Sequence, residues 1–170
     1  LKNYFAPNEP WGGLNLDKPG ADLPHNGITT WPQYAEKLIG IPAKTVVILT
    51  MSCYSGGFVE YLETIEEQWA NRESEGRNFL LITSQNSTEM SKAVRIDGII
   101  CNPFTYAVQK AFEGEADGYL TNKPDGKTTI EEFKQYILDT THRYNAEAYP
   151  QFIGSYSAST VLLRHPYKTP

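Results

Sequence analysis

Cys53 is the residue of this chain whose type and setting best suit covalent chemistry. It stands in Thr45-Val-Val-Ile-Leu-Thr-Met-Ser-Cys-Tyr-Ser-Gly-Gly57, where an apolar run passes into a turn of small residues. A thiolate is the nucleophile that acyl transfer uses. The apolar run reads as a strand buried on both faces, and ligands of open α/β sheets bind at the carboxyl ends of strands. Gly56 and Gly57 let the backbone bend and let a substrate approach. A helix starting near Phe58 would turn its N-terminal dipole toward the thiolate, and turn N–H groups toward an oxyanion. The competing reading is a cysteine that simply packs as a small hydrophobe. Cys101, in Ile99-Ile-Cys-Asn-Pro103, reads that way, with apolar neighbours and no helix directly after it.

The elements that would hold Cys53 follow from pattern. Residues 1–28 are rich in Gly, Pro, Asn and Asp and read as loop, with one short strand at Leu14-Asn-Leu16. A helix follows, capped by Thr30 with Gln33 three residues on, with Pro32 in its first turn and Gly40 and Pro42 at its end. After the Thr45–Thr50 strand, Phe58 to Trp69 reads as one helix, and residues 70–78 as a polar stretch. Phe79 to Thr83 is a second buried strand, and Phe104 to Phe112 a short helix. Ala116 to Thr128 is a turn-rich loop. Thr129 to about Tyr144 is a helix opened by a Thr129–Glu132 capping box, and Thr160 to Arg164 a late strand. This alternation argues for an α/β fold with a mostly parallel sheet. Three strands are few for that class, so N-terminal strands are expected to be missing from the chain.

Composition narrows the function. The 170 residues are 40% hydrophobic and 21% charged, an ordinary globular balance that suits one domain. The net charge of −5 gives no basic footprint for nucleic acid. No apolar run approaches the roughly 20 residues that span a bilayer, so no membrane partner is expected. Two cysteines do not make a disulfide framework at this length, and two free thiols are expected. With His25, His142 and His165 scattered, no zinc spacing appears, so neither a metal nor another cofactor is expected. The Asp125-Gly126 turn fails as a calcium loop. With Gly126 at position 6 and Glu132 at position 12, Lys123 falls on ligand position 3.

At Met51-Ser-Cys-Tyr-Ser-Gly-Gly-Phe58 the chain resembles the catalytic-cysteine motif of caspase-like peptidases, the broad group of caspases, metacaspases, legumains, clostripain-like and gingipain-like enzymes. Two further segments are similar in order and spacing. One runs from Ile82-Thr-Ser-Gln-Asn-Ser-Thr-Glu-Met-Ser91 to Asn102-Pro-Phe-Thr-Tyr-Ala-Val108. The other is Ala116-Asp-Gly-Tyr-Leu-Thr-Asn-Lys-Pro-Asp-Gly-Lys-Thr-Thr-Ile-Glu-Glu-Phe133. The resemblance runs from about Ile28 to Leu163. It implies a three-layer caspase-like sandwich spanning residues 1–170, of which this would be the C-terminal part of the catalytic domain. It implies a Cys–His dyad endopeptidase with Cys53 as nucleophile and a polypeptide as substrate.

The chain departs from the pattern in one respect, because no His-Gly occurs in it. The histidine of caspases lies about 50 residues before the cysteine, which falls at or just before Leu1. Three explanations stand. The histidine is on an N-terminal fragment or subunit upstream of Leu1; or His25 takes its place; or the chain is an inactive module that binds or assembles partners, with a residue such as Asn8 in that position. An unrelated thiol hydrolase would instead bring His142 or His165 to Cys53. The resemblance also implicates Ser84 and Asp97 in the substrate pocket, against a reading of Asp97 as a solvated loop aspartate beside Arg95. It puts an activating cut, if there is one, in Asn71-Arg-Glu-Ser-Glu-Gly-Arg77.

Overall fold

The computed structural model describes residues 31–165. The expected strand at Leu14–Leu16, the Thr30 cap, His25 and Asn8 lie outside the described residues. The elements, in order, are α1 (Trp31–Ile39), β1 (Thr45–Thr50), α2 (Gly57–Glu63), α3 (Glu66–Ala70), β2 (Asn78–Thr83), β3 (Val94–Ile96), β4 (Ile99–Cys101), α4 (Pro103–Phe112), β5 (Lys127–Thr129), α5 (Ile130–Tyr144), β6 (Gln151–Ser155) and β7 (Val161–Arg164).

Three strands make the central sheet in the order β1-β2-β6. β1 and β2 are parallel, from Thr45↔Asn78 to Thr50↔Thr83. β6 runs antiparallel to β2, from Phe79↔Ser155 to Thr83↔Gln151. β3 pairs with β4, and β5 with β7, both antiparallel and outside this sheet. The fold is therefore mixed α/β, and the expectation of a mostly parallel sheet is corrected. Only β1 and β2 are joined by a helical crossover, which parallel pairing requires. β6 returns through the short segment after α5 and enters the sheet in the opposite sense.

Alternation along the strands sorts side chains between two cores. Val46 and Ile48 of β1, Phe79 and Leu81 of β2 and Ile153 of β6 pack with Ala35, Phe58, Val59, Leu62 and Trp69 of α1 to α3. Val47, Leu49, Leu80, Ile82 and Phe152 pack on the other face, with Phe104, Ala107, Phe133 and Ile137 of α4 and α5. Helices thus cover both faces. All six residues of β2 are buried, as expected of a central strand with a near-continuous apolar run.

Local signals fix the helix ends. The Asn102 side chain caps α4 by accepting from the Phe104 and Thr105 N–H groups. At α5 the Thr129 hydroxyl accepts from the Glu132 N–H, and the Glu132 carboxylate accepts from the Thr129 N–H, so the expected capping box is present. The helix expected over Phe58–Trp69 is instead two short ones, broken at Thr64 and Ile65. The Thr64 hydroxyl donates to the Tyr61 carbonyl, a local bond that competes with helix continuation.

The polar stretch after α3 is less open than its composition suggests. Arg72 is only 4% exposed. Its guanidinium donates to the carbonyls of Ile39 (2.8 Å) and Ala43 (3.1 Å) and lies over the Phe79 ring. Arg77 adds a bond to the Ile41 carbonyl at 2.8 Å. Two arginines thus bind the α1–β1 connector, and burial pulls the Arg72 pKa below the usual guanidinium value. Asn71 and residues 73–76 stay exposed, so a cut in this loop has those residues to reach. Arg72→Ala leaves these carbonyls without donors. It is expected to cost about 2–3 kcal/mol in urea unfolding, the scale of charged hydrogen bonds, and Arg72→Lys recovers only part of it for want of the planar fork.

Candidate active site

Cys53 lies in the turn between β1 and α2, and its residue is exposed. Cys101 is half-buried in β4, and both cysteines are free thiols. The start of a helix does not distinguish them, since α4 opens at Pro103, directly after Asn102. Exposure does.

The turn is held from beneath by the segment after β2. The Ser84 N–H donates to the Thr50 carbonyl at 3.0 Å, extending the parallel ladder past its last strand pair. Ser55 is fully buried, and its hydroxyl accepts from the Gln85 N–H at 3.2 Å. Tyr54 takes the left-handed conformation, φ 58°, an uncommon position for a bulky residue. Its N–H donates to the Glu89 carbonyl at 2.8 Å. That bond takes one turn amide away from any oxyanion. Gly56 is required where it stands, because a Cβ would come within 2.3 Å of the Gln151 side-chain oxygen and 2.5 Å of the Asn86 backbone. The turn therefore meets both the loop after β2 and the first residue of β6.

Three segments consequently converge at one end of the sheet: the Cys53 turn, residues 84–92, and the lead-in to β6. Residues 84–92 are tied on both sides. Asn102 donates to Ser91 Oγ and the Lys92 carbonyl, and Lys92 pairs with Glu147 at 2.6 Å. The hydrogen bond of that exposed pair raises the Lys92 pKa and lowers that of Glu147.

The expected pocket residues fall differently. Ser84 is next to the Cys53 turn but fully buried, its hydroxyl within 3.5 Å of the Ser55 hydroxyl and the Ser52 carbonyl. Its side chain supports the turn from below. Asp97, φ 49°, and Gly98, φ 83°, form the two-residue turn of the β3–β4 hairpin. The Asp97 carboxylate accepts from the Tyr106 hydroxyl at 2.9 Å, and that bond pushes the Tyr106 pKa above the ordinary tyrosine range. Arg95 donates to the Gly98 carbonyl, closing the turn. His142 is held by the Ala148 carbonyl at 2.7 Å, and His165 pairs with Thr128 at 2.9 Å. Neither bonds Cys53.

Sequence reasoning passed over Glu89 and Gln151. The loop after β2 had been singled out, but nothing local marks Glu89 among its polar neighbours. Its place follows from the parallel pairing of β1 with β2, which brings the residues after both strands to one end. Among the described residues no group of three or more His, Cys, Asp or Glu could hold a metal ion. No described helix is long and apolar enough to cross a membrane. A cleft of about 400 Å³ lies at the other end of the sheet against Lys44, Glu73, Arg77, Asn78 and Thr160. Neither Cys53 nor Cys101 lines it. Comparison with protein-family models, with curated proteins and with solved structures returned no match.

Proposed function

We propose that this chain carries the nucleophile of a caspase-like cysteine endopeptidase, with Cys53 attacking the scissile carbonyl. The observation that carries the reading is an exposed cysteine on a hydrogen-bonded turn at the carboxyl end of the parallel pair β1–β2. Helices on both faces of that sheet agree with a three-layer caspase-like sandwich. In this reading the thiolate adds to the carbonyl carbon of a polypeptide substrate, and the tetrahedral adduct collapses to a thioester. The C–N bond breaks, and a histidine gives the departing amine its proton. Water then adds to the thioester and releases the acid and the thiolate. The histidine comes from an N-terminal fragment or subunit upstream of Leu1.

The second reading is an inactive caspase-like module that binds or assembles partners. It is favoured by one observation: the described histidines, His142 and His165, are engaged away from Cys53.

Mass spectrometry of the full-length protein after treatment with peptidyl electrophiles separates the two. Cys53 should label at least about 10-fold faster than Cys101, because accessibility and thiolate character govern the rate. Labelling only when the upstream segment is present would assign the histidine to it. Equal, slow labelling of both thiols in the full-length protein would leave the inactive module as the reading.

A further inference from the structure

Three buried hydroxyls lie under the Cys53 turn. Ser55, Thr83 and Ser84 have no exposed surface, so each hydroxyl has to find its partner within the protein. A serine or threonine has one hydrogen to give, and that orders the bonds. The Thr83 hydroxyl donates to the Gln85 carbonyl at 3.0 Å. The Ser55 hydroxyl accepts from the Gln85 N–H and lies 3.4 Å from the same carbonyl and 3.5 Å from Ser84 Oγ. Since Thr83 already serves that carbonyl, the Ser55 hydrogen completes the chain by going to Ser84. The Ser84 hydrogen is then left for the Ser52 carbonyl, at 3.5 Å. The chain of donors ends on the peptide group that joins Ser52 to Cys53.

That peptide group has a second end. Among the described residues no peptide bond is cis, and in a trans peptide the carbonyl and the N–H point in opposite directions. A Ser52 carbonyl held on buried Ser84 therefore sends the Cys53 N–H away from the buried hydroxyls. Among the described residues the Cys53 N–H bonds nothing. The next amide, that of Tyr54, is committed to the Glu89 carbonyl. The turn thus keeps free the N–H of the residue that carries the thiol.

We propose that Ser84 is a positioning residue: through the Ser52 carbonyl it aims the Cys53 N–H at the oxygen of the carbonyl that Cys53 attacks. The inference rests on the peptidase reading. Ser84, fully buried, touches no substrate itself. As negative charge gathers on the attacked oxygen, the N–H that bonds it is polarised. The Ser52 carbonyl then becomes the richer acceptor, and the Ser84 bond, long at rest, strengthens. The gain falls on the tetrahedral adduct rather than on bound substrate.

Ser84→Ala in the full-length protein tests this. On the peptide that the unmutated protein cleaves fastest, kcat should fall on the order of 10-fold with KM changed less than about 2-fold, since one oxyanion donor is misaimed rather than lost. A peptidyl aldehyde of the same sequence forms a tetrahedral adduct with Cys53 and should bind on the order of 10-fold more weakly. Iodoacetamide supplies the contrast. The thiolate displaces iodide from it and no charge gathers on a carbonyl oxygen, so its rate at Cys53, and the pH dependence of that rate, should stay within about 2-fold. A turn merely loosened by the substitution would change alkylation along with the rest. Ser84→Cys keeps the shape but offers only a weak donor, and it should repeat the pattern even where the alanine variant fails to fold. Unchanged kcat and aldehyde affinity in these variants, or alkylation that falls as far as they do, overturns the inference and leaves the peptidase reading standing. No peptide cleavage and no aldehyde adduct at Cys53 in the unmutated protein overturns both.

Discussion

Cys53→Ala in the full-length protein is expected to lower kcat/KM for peptide hydrolysis by at least about 1,000-fold, the loss typical of a removed nucleophile. The same substitution should change unfolding free energy by no more than about 0.5 kcal/mol, because exposed positions carry little stability. The Cys53 residue is exposed, and the turn is held by its neighbours Tyr54, Ser55 and Gly56. Activity and stability should therefore separate cleanly at this residue. Initial rates on an internally quenched peptide, read beside urea unfolding curves, check both halves. Retained hydrolysis in Cys53→Ala would end the assignment of the nucleophile. The matching substitution at Cys101 should leave the rate unchanged.

Gly154→Val should produce the largest loss of stability. A Cβ at Gly154 would lie 2.0 Å from the Phe79 carbonyl oxygen and 2.9 Å from the Leu80 Cα, both backbone atoms of the central strand. Neither can give without breaking the β2–β6 pairing at Leu80↔Gly154. The cost should be at least about 3 kcal/mol, as for severe overpacking, against an ordinary domain stability of about 5–15 kcal/mol. Circular dichroism during urea unfolding would read it. An unchanged midpoint would mean that β6 does not pack on β2 in this way. Because Gln151 of β6 backs Gly56, alkylation of Cys53 should lose its selectivity over Cys101 in the same variant.

Gly154 also explains why β6 was invisible in the sequence. Gln151-Phe-Ile-Gly-Ser155 has no β-branched run and carries a glycine at its fourth position, which weakens any strand signal. Yet the glycine is what lets the strand approach Phe79. β2 was legible because a strand buried on both faces is apolar throughout; β1 carries the same apolar run, though only Val46 and Ile48 are buried and its other residues are half-buried. The Thr129–Glu132 capping box was legible because it is a local bond between residues three apart. The β3–β4 hairpin was missed although its Asp97-Gly98 turn signal stood in the sequence, because its strands are only three residues long, and Ile99 and Ile100, read only as apolar neighbours of Cys101, are each 67% exposed. The turn that carries Cys53 past the end of β1 was legible from the strand-then-glycine pattern. Ser84 was expected in a substrate pocket, and its burial beside Ser55 and Ser52, some thirty residues away, follows from tertiary contacts that the sequence does not show. Glu89 has no local mark at all.

The junction of Gly56 with Gln151 has a temporal side. The turn bearing the thiol rests on residues 84–89 and on the first residue of β6, nearly a hundred positions later. Contacts that distant in sequence close late in folding, after the loop entropy between them has been overcome. On the ribosome, where domains form as the chain emerges, the cysteine leaves the exit tunnel well before its buttress does. The nascent chain therefore carries its thiol without the geometry that would organise it, and the site is completed only once most of this sequence has been made.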